Sequence, residues 1–254
     1  MGPNALSSES RMNIETCPRN ILVVVPARDE EALLPGCLDR LEAAIERLSV
    51  ERPETRVTCV VVLDRCTDSS ADIVASRHWA HALVSAFGQV GAARRAGVEH
   101  AAVLAGVQDA RTAWVANTDA DSVVPDHWLT RQLELACGGA DLVLGTVVPE
   151  ALGVDPRVIE AWHARHVLAE DHPYVHGANL GVRLSTYRRA GEFPELPVHE
   201  DVRLVDAIRR DGAAVVATAT APVVTSGRFV ARTPEGFAGY LRGLAEPPDK
   251  IVSA

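Results

Sequence analysis

A chain of 254 residues can bury a large core, and 47% apolar against 23% charged residues is a globular mixture, which excludes a disordered polypeptide. A formal net charge of -9 excludes a general nucleic-acid binder, because no broad positive field collects phosphates, although single arginines can still hold a small phosphorylated ligand. No apolar run approaches the roughly 20 residues of a spanning helix, and the first twenty residues carry Glu9, Arg11, Glu15 and Arg19 instead of an apolar signal core. A cytoplasmic protein without an integral membrane segment is therefore expected, with peripheral contact to a membrane or a lipid acceptor left open, and a homo-oligomer also possible.

The expected organisation is a polar leader over residues 1–19, one domain over 20–246 and a tail over 247–254. Ile21–Val25 is a β-rich run stopped by Pro26, and Leu33, Leu34, Leu38, Leu41, Ala44, Ile45 and Leu48 then follow helical spacing. Val57–Leu63 predicts a second buried strand ending at Asp64. Asp68, Ser69 and Ser70 offer caps for a short helix through Val74, Ala82–Val84 predicts a third strand, and an alanine-rich helix runs from about Gly91 to Leu104. Trp114–Ala116 predicts the next strand. This alternation implies a mainly parallel sheet covered on both faces, with ligands gathered beyond the carboxyl ends of its strands.

The second half reads as more mixed. Leu142–Val148 is strand-like, Pro156–Leu168 predicts a helix, Gly177–Arg183 a glycine-bounded strand, Glu200–Arg210 a helix, and Val215–Val216 and Val223–Val224 two short strands. Cys17, Cys37, Cys59, Cys66 and Cys137 form neither a CxxC pair nor a dense framework, so ordinary thiols are expected, with a redox or metal role the alternative.

Chemistry concentrates at the strand exits. Asp119 and Asp121, with Ala120 between them, repel one another unless a cation or donors compensate. Bound Mg2+ or Mn2+ would bridge them to a diphosphate, whereas a solvated turn or helix cap is the plain alternative. In Pro26-Ala27-Arg28-Asp29-Glu30, Glu30 suits a base or ribose donor and Arg28 a phosphate, against simple capping or ion pairing. Asp64 either binds a base N–H or ribose hydroxyl or supports the Arg65–Asp68 turn. Arg94 either meets a diphosphate or forms a surface pair, since adjacent Arg94 and Arg95 cannot point the same way on a helix. Asp201 is the preferred general base for an acceptor hydroxyl, with Glu200 orienting it or binding acceptor, and helix capping is the competing role. His163, His166, His172 and His176 lack zinc spacing and suit acceptor binding or the surface, with Trp162 and Tyr174 beside them.

Taken together, Val23–Glu30, Val61–Asp68, Asn117–Asp121, Gly177–Leu180 and Glu200-Asp201 resemble the family-2 nucleotide-sugar glycosyltransferases, over about residues 20–225. The resemblance implies a GT-A fold: α/β, a Rossmann-like mainly parallel central sheet flanked by helices, with a mixed acceptor-side region. It implies a nucleoside-diphosphate sugar as donor, Mn2+ or Mg2+ held by Asp121 with Asp119, nucleotide contacts at the first strand exit and Asp64, and Asp201 as the base of an inverting transfer. Gly177, Ala178 and Asn179 then resemble the wall beside donor sugar and acceptor. Two departures stand out: Leu63-Asp64 replaces a pair of acids, and Ala93-Arg94-Arg95-Ala96-Gly97 stands for Ala-Arg-Asn-x-Gly. The Gln-x-x-Arg-Trp pattern of processive synthases is absent after Asp201, which favours a single transfer. A retaining transferase, a sugar-phosphate nucleotidyltransferase and a noncatalytic nucleotide-sugar binding module are the alternatives.

Overall fold

Alternation at period two decides the central layer. In Ile21–Val25 every side chain is inaccessible to solvent, yet Ile21, Val23 and Val25 enter one apolar cluster while Leu22 and Val24 enter another. Successive Cβ atoms of a strand point to opposite faces, so this run must lie between two layers. The computed structural model describes residues 17–196, 198–228, 241, 243 and 244. The leader up to residue 16 and the tail over 247–254 lie outside the described residues.

The first half alternates as its pattern predicts, through β1 (Asn20–Ala27), α1 (Leu34–Glu51), β2 (Arg56–Asp64), α2 (Ser70–Ala75), β3 (Ala80–Ser85) and α3 (Val90–Leu104). There follow β4 (Ala113–Asn117), β5 (Ser122–Val123), α4 (Trp128–Cys137), β6 (Leu142–Pro149), α5 (Pro156–Arg165), β7 (Leu180–Arg183), α6 (Leu184–Arg189), α7 (Glu200–Arg210) and β8 (Val215–Thr225). One eight-stranded sheet has the order β3-β2-β1-β4-β7-β6-β8-β5. Pairs β1/β2, β1/β4, β2/β3 and β6/β8 are parallel, and β7 runs against both β4 and β6. Buried side chains of α1 and α4 pack on one face, those of α3, α6 and α7 on the other.

The helix α3 lies unusually close to the sheet. A Cβ at Gly97 would fall 2.6 Å from Val24 Cγ1 and 2.8 Å from Val62 Cγ2, so only glycine permits this approach. Arg94, one turn earlier, shares the sheet-facing side with Gly97, while Arg95 turns outward to Glu192 and Glu195.

The second half departs from its sequence reading in several places. The two short strands at Val215–Val216 and Val223–Val224 are the ends of continuous β8, because β6 pairs with it in parallel on both sides of an irregularity at Gly145/Val147. Gly177–Asn179 forms a 3-10 turn, leaving only Leu180–Arg183 as strand. The α5 helix stops at Arg165, where His166 becomes extended with φ -123° and ψ 111°. The sequence reading has no counterpart to α4, whose N-cap His127 makes no side-chain capping bond, nor to α6 or the two-residue β5.

The thiol expectation is corrected for one pair. Cys17 and Cys137, separated by 120 residues, have Cα atoms 4.3 Å apart and form a disulfide that ties the entry of β1 to the end of α4. Spacing in sequence carries no sign of that proximity. Cys137 is almost fully buried and Cys17 half-buried; Cys37, Cys59 and Cys66 remain thiols. Among the described residues, no helix is long and apolar enough to cross a membrane.

Candidate active site

The strand order reverses between β1 and β4, since β2 and β3 continue on one side of β1 and β4 lies on the other. A crevice forms beyond the carboxyl ends of strands at such a point. The loop after β1 and the turn after β4 therefore meet there.

After β1, Pro26 is half-buried, Ala27 buried and Arg28 exposed. Asp29 takes a positive φ of 48°, and its carboxylate accepts from the Thr67 backbone N–H at 2.7 Å. Glu30 turns inward and is buried, its backbone N–H donating to Ser70 Oγ at 3.1 Å. Both of its carboxylate oxygens accept from Arg228, at 2.6 and 2.9 Å. Asp64 is also buried at the end of β2. It accepts from Ser85 Oγ at 3.1 Å and the Gly88 N–H at 2.8 Å, and so braces the loop leading into α3.

The acidic turn after β4 closes through the Ser122 N–H on the Asp119 carbonyl at 3.1 Å, with Ala120 buried beneath it. Strand β5 then pairs Ser122 with Thr225 of β8, and the Ser226 N–H donates to the Asp121 carbonyl at 3.0 Å. This pairing fixes both acids in the crevice. Asp119 Oδ1 accepts from Arg94 Nη2 at 2.5 Å, and Asp121 Oδ2 pairs with Arg228 Nη2 at 2.9 Å. Burial, followed by the charge of Asp119, raises the Asp121 carboxyl to about 6, against the pull of Arg228.

The same Arg94 reaches the acceptor-side elements. It is 3% exposed and pairs with Glu200 at the start of α7. Burial opposes its charge, but Asp119, Glu200 and Asp201 outweigh that and raise its pKa; burial likewise pushes the Glu200 carboxyl up, opposed by Arg94. Gly177 passes against this guanidinium, since a Cβ there would lie 2.6 Å from both terminal nitrogens. The Gly177 N–H donates to Asp201 Oδ2 at 2.7 Å, and Asp201 Oδ1 accepts from the Val202 N–H at 2.8 Å. Asp201 thus caps part of the first turn of α7 while standing beside Gly177, with further lone pairs on both oxygens.

Asn179 is engaged on all sides. It accepts from Trp128 Nε1 at 2.8 Å and donates to the Thr146 and Ala221 carbonyls at 2.8 and 2.9 Å, joining α4, β6 and β8 beneath the buried Ala178. Beside it, His166 stacks on Trp162 with centroids 4.4 Å apart, Tyr174 lies 5.0 Å from His166, and His176 lies 6.2 Å from Tyr174. Burial lowers the His176 imidazole to about 4, despite the nearby Asp201 charge.

Asp119 and Asp121 supply hard oxygen donors, the chemistry that suits Mg2+ or Mn2+ with remaining positions for phosphate and water. Among the described residues, Arg94 pairs with Asp119 and Glu200, and Arg228 with Glu30 and Asp121, and the carboxylate oxygens that these pairs leave open on the acidic turn suit a divalent ion. Among the described residues, the one grouping of three side-chain metal-ligand types is Asp29, Cys66 and Asp68. Its two carboxylates are already used by the backbone N–H groups of Thr67, Glu31 and Ser70.

Arg228 is the site residue that sequence reasoning missed. Its one sequence signal is position: an arginine just past Val215–Thr225, at the carboxyl end of a strand.

Comparisons with known proteins bear on the family and the fold. The model of the family described as Glycosyl transferase family 2 matches residues 22–166. An undecaprenyl-phosphate 4-deoxy-4-formamido-L-arabinose transferase from Pseudomonas syringae pv. syringae is 35% identical over 127 residues, which is 50% of this chain and 35% of that protein. S. aureus TarS 1-349 is similar with a TM-score of 0.56 at 18% identity, over 89% of this chain and 64% of that one. The mannosyltransferase PcManGT from Pyrobaculum calidifontis, in complex with GDP-Man and Mn2+, is similar with a TM-score of 0.54 at 22% identity, over 94% of this chain and 63% of that one. These structural likenesses establish the fold, a Rossmann-like GT-A sheet with a mixed acceptor-side region. The chain spans about a third of the length of the curated relative and under two thirds of either structure.

Proposed function

The chain belongs to glycosyl transferase family 2, and on that premise we propose that it moves a sugar from a nucleoside-diphosphate sugar to a hydroxyl-bearing acceptor with inversion at the anomeric carbon. The observation that carries this reading is the single Arg94 guanidinium spanning Asp119 on the donor side and Glu200, next to Asp201, on the acceptor side. Donor acids and candidate base thus share one crevice.

In this reading Glu30 and Asp64 face the nucleoside, and Asp119 and Asp121 hold Mn2+ or Mg2+. The bound cation would neutralise charge on the diphosphate as it leaves. Asp201 accepts the acceptor's hydroxyl proton through Oδ1 or Oδ2 while the Gly177 N–H keeps the carboxylate oriented. The acceptor oxygen bonds to the anomeric carbon as the bond to the diphosphate breaks, and a single displacement inverts that centre.

A second reading replaces the hydroxyl by a polyprenyl phosphate oxygen. It rests on what the curated relative is named to act on and on Leu152, Val167 and Leu168, apolar and exposed on the segments flanking α5. The compartment expected from sequence is cytoplasmic, where a structural disulfide such as Cys17–Cys137 is uncommon.

The test is a donor-panel thermal-shift measurement with and without Mn2+, then turnover on hydroxyl acceptors and on undecaprenyl phosphate. Asp201→Asn is expected to keep donor binding and lose about 100- to 10,000-fold in transfer. Asp121→Ala is expected to lose the Mn2+-dependent shift. Wild-type turnover in both variants would falsify the assignment. Release of pyrophosphate instead of a nucleoside diphosphate would indicate a nucleotidyltransferase, and the product's anomeric NMR couplings decide inversion.

A further inference from the structure

Arg228 joins two carboxylates that the donor site uses for different tasks. Its terminal nitrogens fork across Glu30, on the nucleoside side, and Nη2 also lies 2.9 Å from Asp121 Oδ2, on the metal side. The arginine is delivered by the end of β8, where its own N–H donates to Ser226 Oγ at 3.3 Å. Ser226 in turn holds the Asp121 carbonyl. Backbone and side chain together therefore aim one cation at the acidic turn.

Resting on the glycosyltransferase reading of this site, we propose that Arg228 is a positioning residue that shares Asp121 with the divalent metal and thereby couples metal binding to nucleoside binding. A guanidinium and a divalent ion repel one another, and in a partly desolvated crevice that repulsion is screened far less than in water. Both cannot hold the Asp121 carboxylate closely. Arrival of the metal draws Arg228 away from Asp121, and the same movement loosens its fork on Glu30, which then turns to base or ribose donors. Side-chain exposure permits this: Arg228 is 34% exposed, whereas Arg94, on Asp119, is 4% exposed and pinned by Glu200 as well. By linkage, the nucleoside in turn raises metal affinity by the same factor.

The experiment is titration of Mn2+ alone into the full chain, read from the electron paramagnetic resonance signal of unbound Mn2+. Wild type, Arg228→Gln, Arg228→Lys and Asp121→Asn are compared, with circular dichroism confirming each fold. Arg228→Gln is expected to bind Mn2+ about tenfold more tightly than wild type, Arg228→Lys to fall between them, and Asp121→Asn to lose the site. Equal or weaker Mn2+ binding by Arg228→Gln, or no measurable binding in any of the four proteins, overturns the proposal. The titration needs no donor, so it stands apart from the function: a wild type that binds no nucleoside-diphosphate sugar refutes the transferase reading while the Mn2+ comparison still decides Arg228's effect on Asp121. Where a nucleoside diphosphate binds, its affinity gain from Mn2+ is expected to shrink in Arg228→Gln.

Discussion

Arg94 and Arg228 each hold two carboxylates in the same crevice, but the first is sealed and the second reaches solvent, with side chains 4% and 34% exposed. Arg94 is the fifth residue of α3, a helix packed close to the sheet at Gly97, and it lies against Gly177 and beside Phe193, whose ring centroid is 5.7 Å away. Arg228 lies three residues beyond the end of β8. Identical side chains therefore do different work: a desolvated guanidinium has no alternative partner and fixes the two halves of the crevice together, while a half-hydrated one exchanges partners at small cost.

The contrast is broken most severely at Arg94. Arg94→Ala leaves Glu200 buried without its countercharge, and a loss of about 3–5 kcal/mol in urea unfolding is expected. Arg94→Lys does not restore it, because one ammonium cannot fork to Asp119 and Glu200 together. Adding Glu200→Gln to Arg94→Ala recovers part of the loss. A cost below about 1 kcal/mol would place Arg94 in the same class as an exposed pair.

A smaller effect examines whether the acceptor side is sealed as Arg94 is. His176 is held near 4 against an ordinary 6.5 because burial disfavours its charged form. Between those values this imidazole holds more protons in the unfolded chain than in the folded one, so its own contribution to stability rises with pH, opposite in sign to that of the Asp121 carboxyl, raised to about 6. The contribution is complete above about pH 6.5 and lost as pH falls toward 4, reaching up to about 3 kcal/mol. The difference in urea midpoint between wild type and His176→Asn across that window measures it, and the substitution is expected to make the slope of stability against pH less positive. An unchanged slope would mean that water reaches the imidazole.

The smallest effect is expected at Arg228. Arg228→Gln opens the crevice to water, which hydrates Glu30 and Asp121 in place of the guanidinium, and a stability loss of about 1 kcal/mol follows. Raising salt should narrow the difference from wild type, since screening weakens the exposed pair. A loss as large as that of Arg94→Ala would erase the distinction between the two arginines.

How much of this was readable depended on the range of the signal. The parallel half was legible because Ile21–Val25, Val57–Leu63 and Trp114–Ala116 are short apolar runs bounded by polar turns, a local pattern. Helix α4 escaped because it starts without a side-chain cap, and β8 read as two strands because Thr218, Thr220 and Pro222 interrupt its apolar run. At the site, the acids after each strand could be nominated one by one. That Arg94 rather than Arg95 turns to them required the packing of α3, and Arg228 was invisible without β8 lying beside β6 and β5.

By itself, the sequence determined the alternation of the first half, the acidic strand exits and the family pattern, because each is carried by residues near one another along the chain. Tertiary structure alone decided the antiparallel β7, the Cys17–Cys137 bond and the pairing of Glu30 and Asp121 with Arg228. These join residues far apart in the chain, and no local periodicity records a distance that exists only after the sheet has assembled.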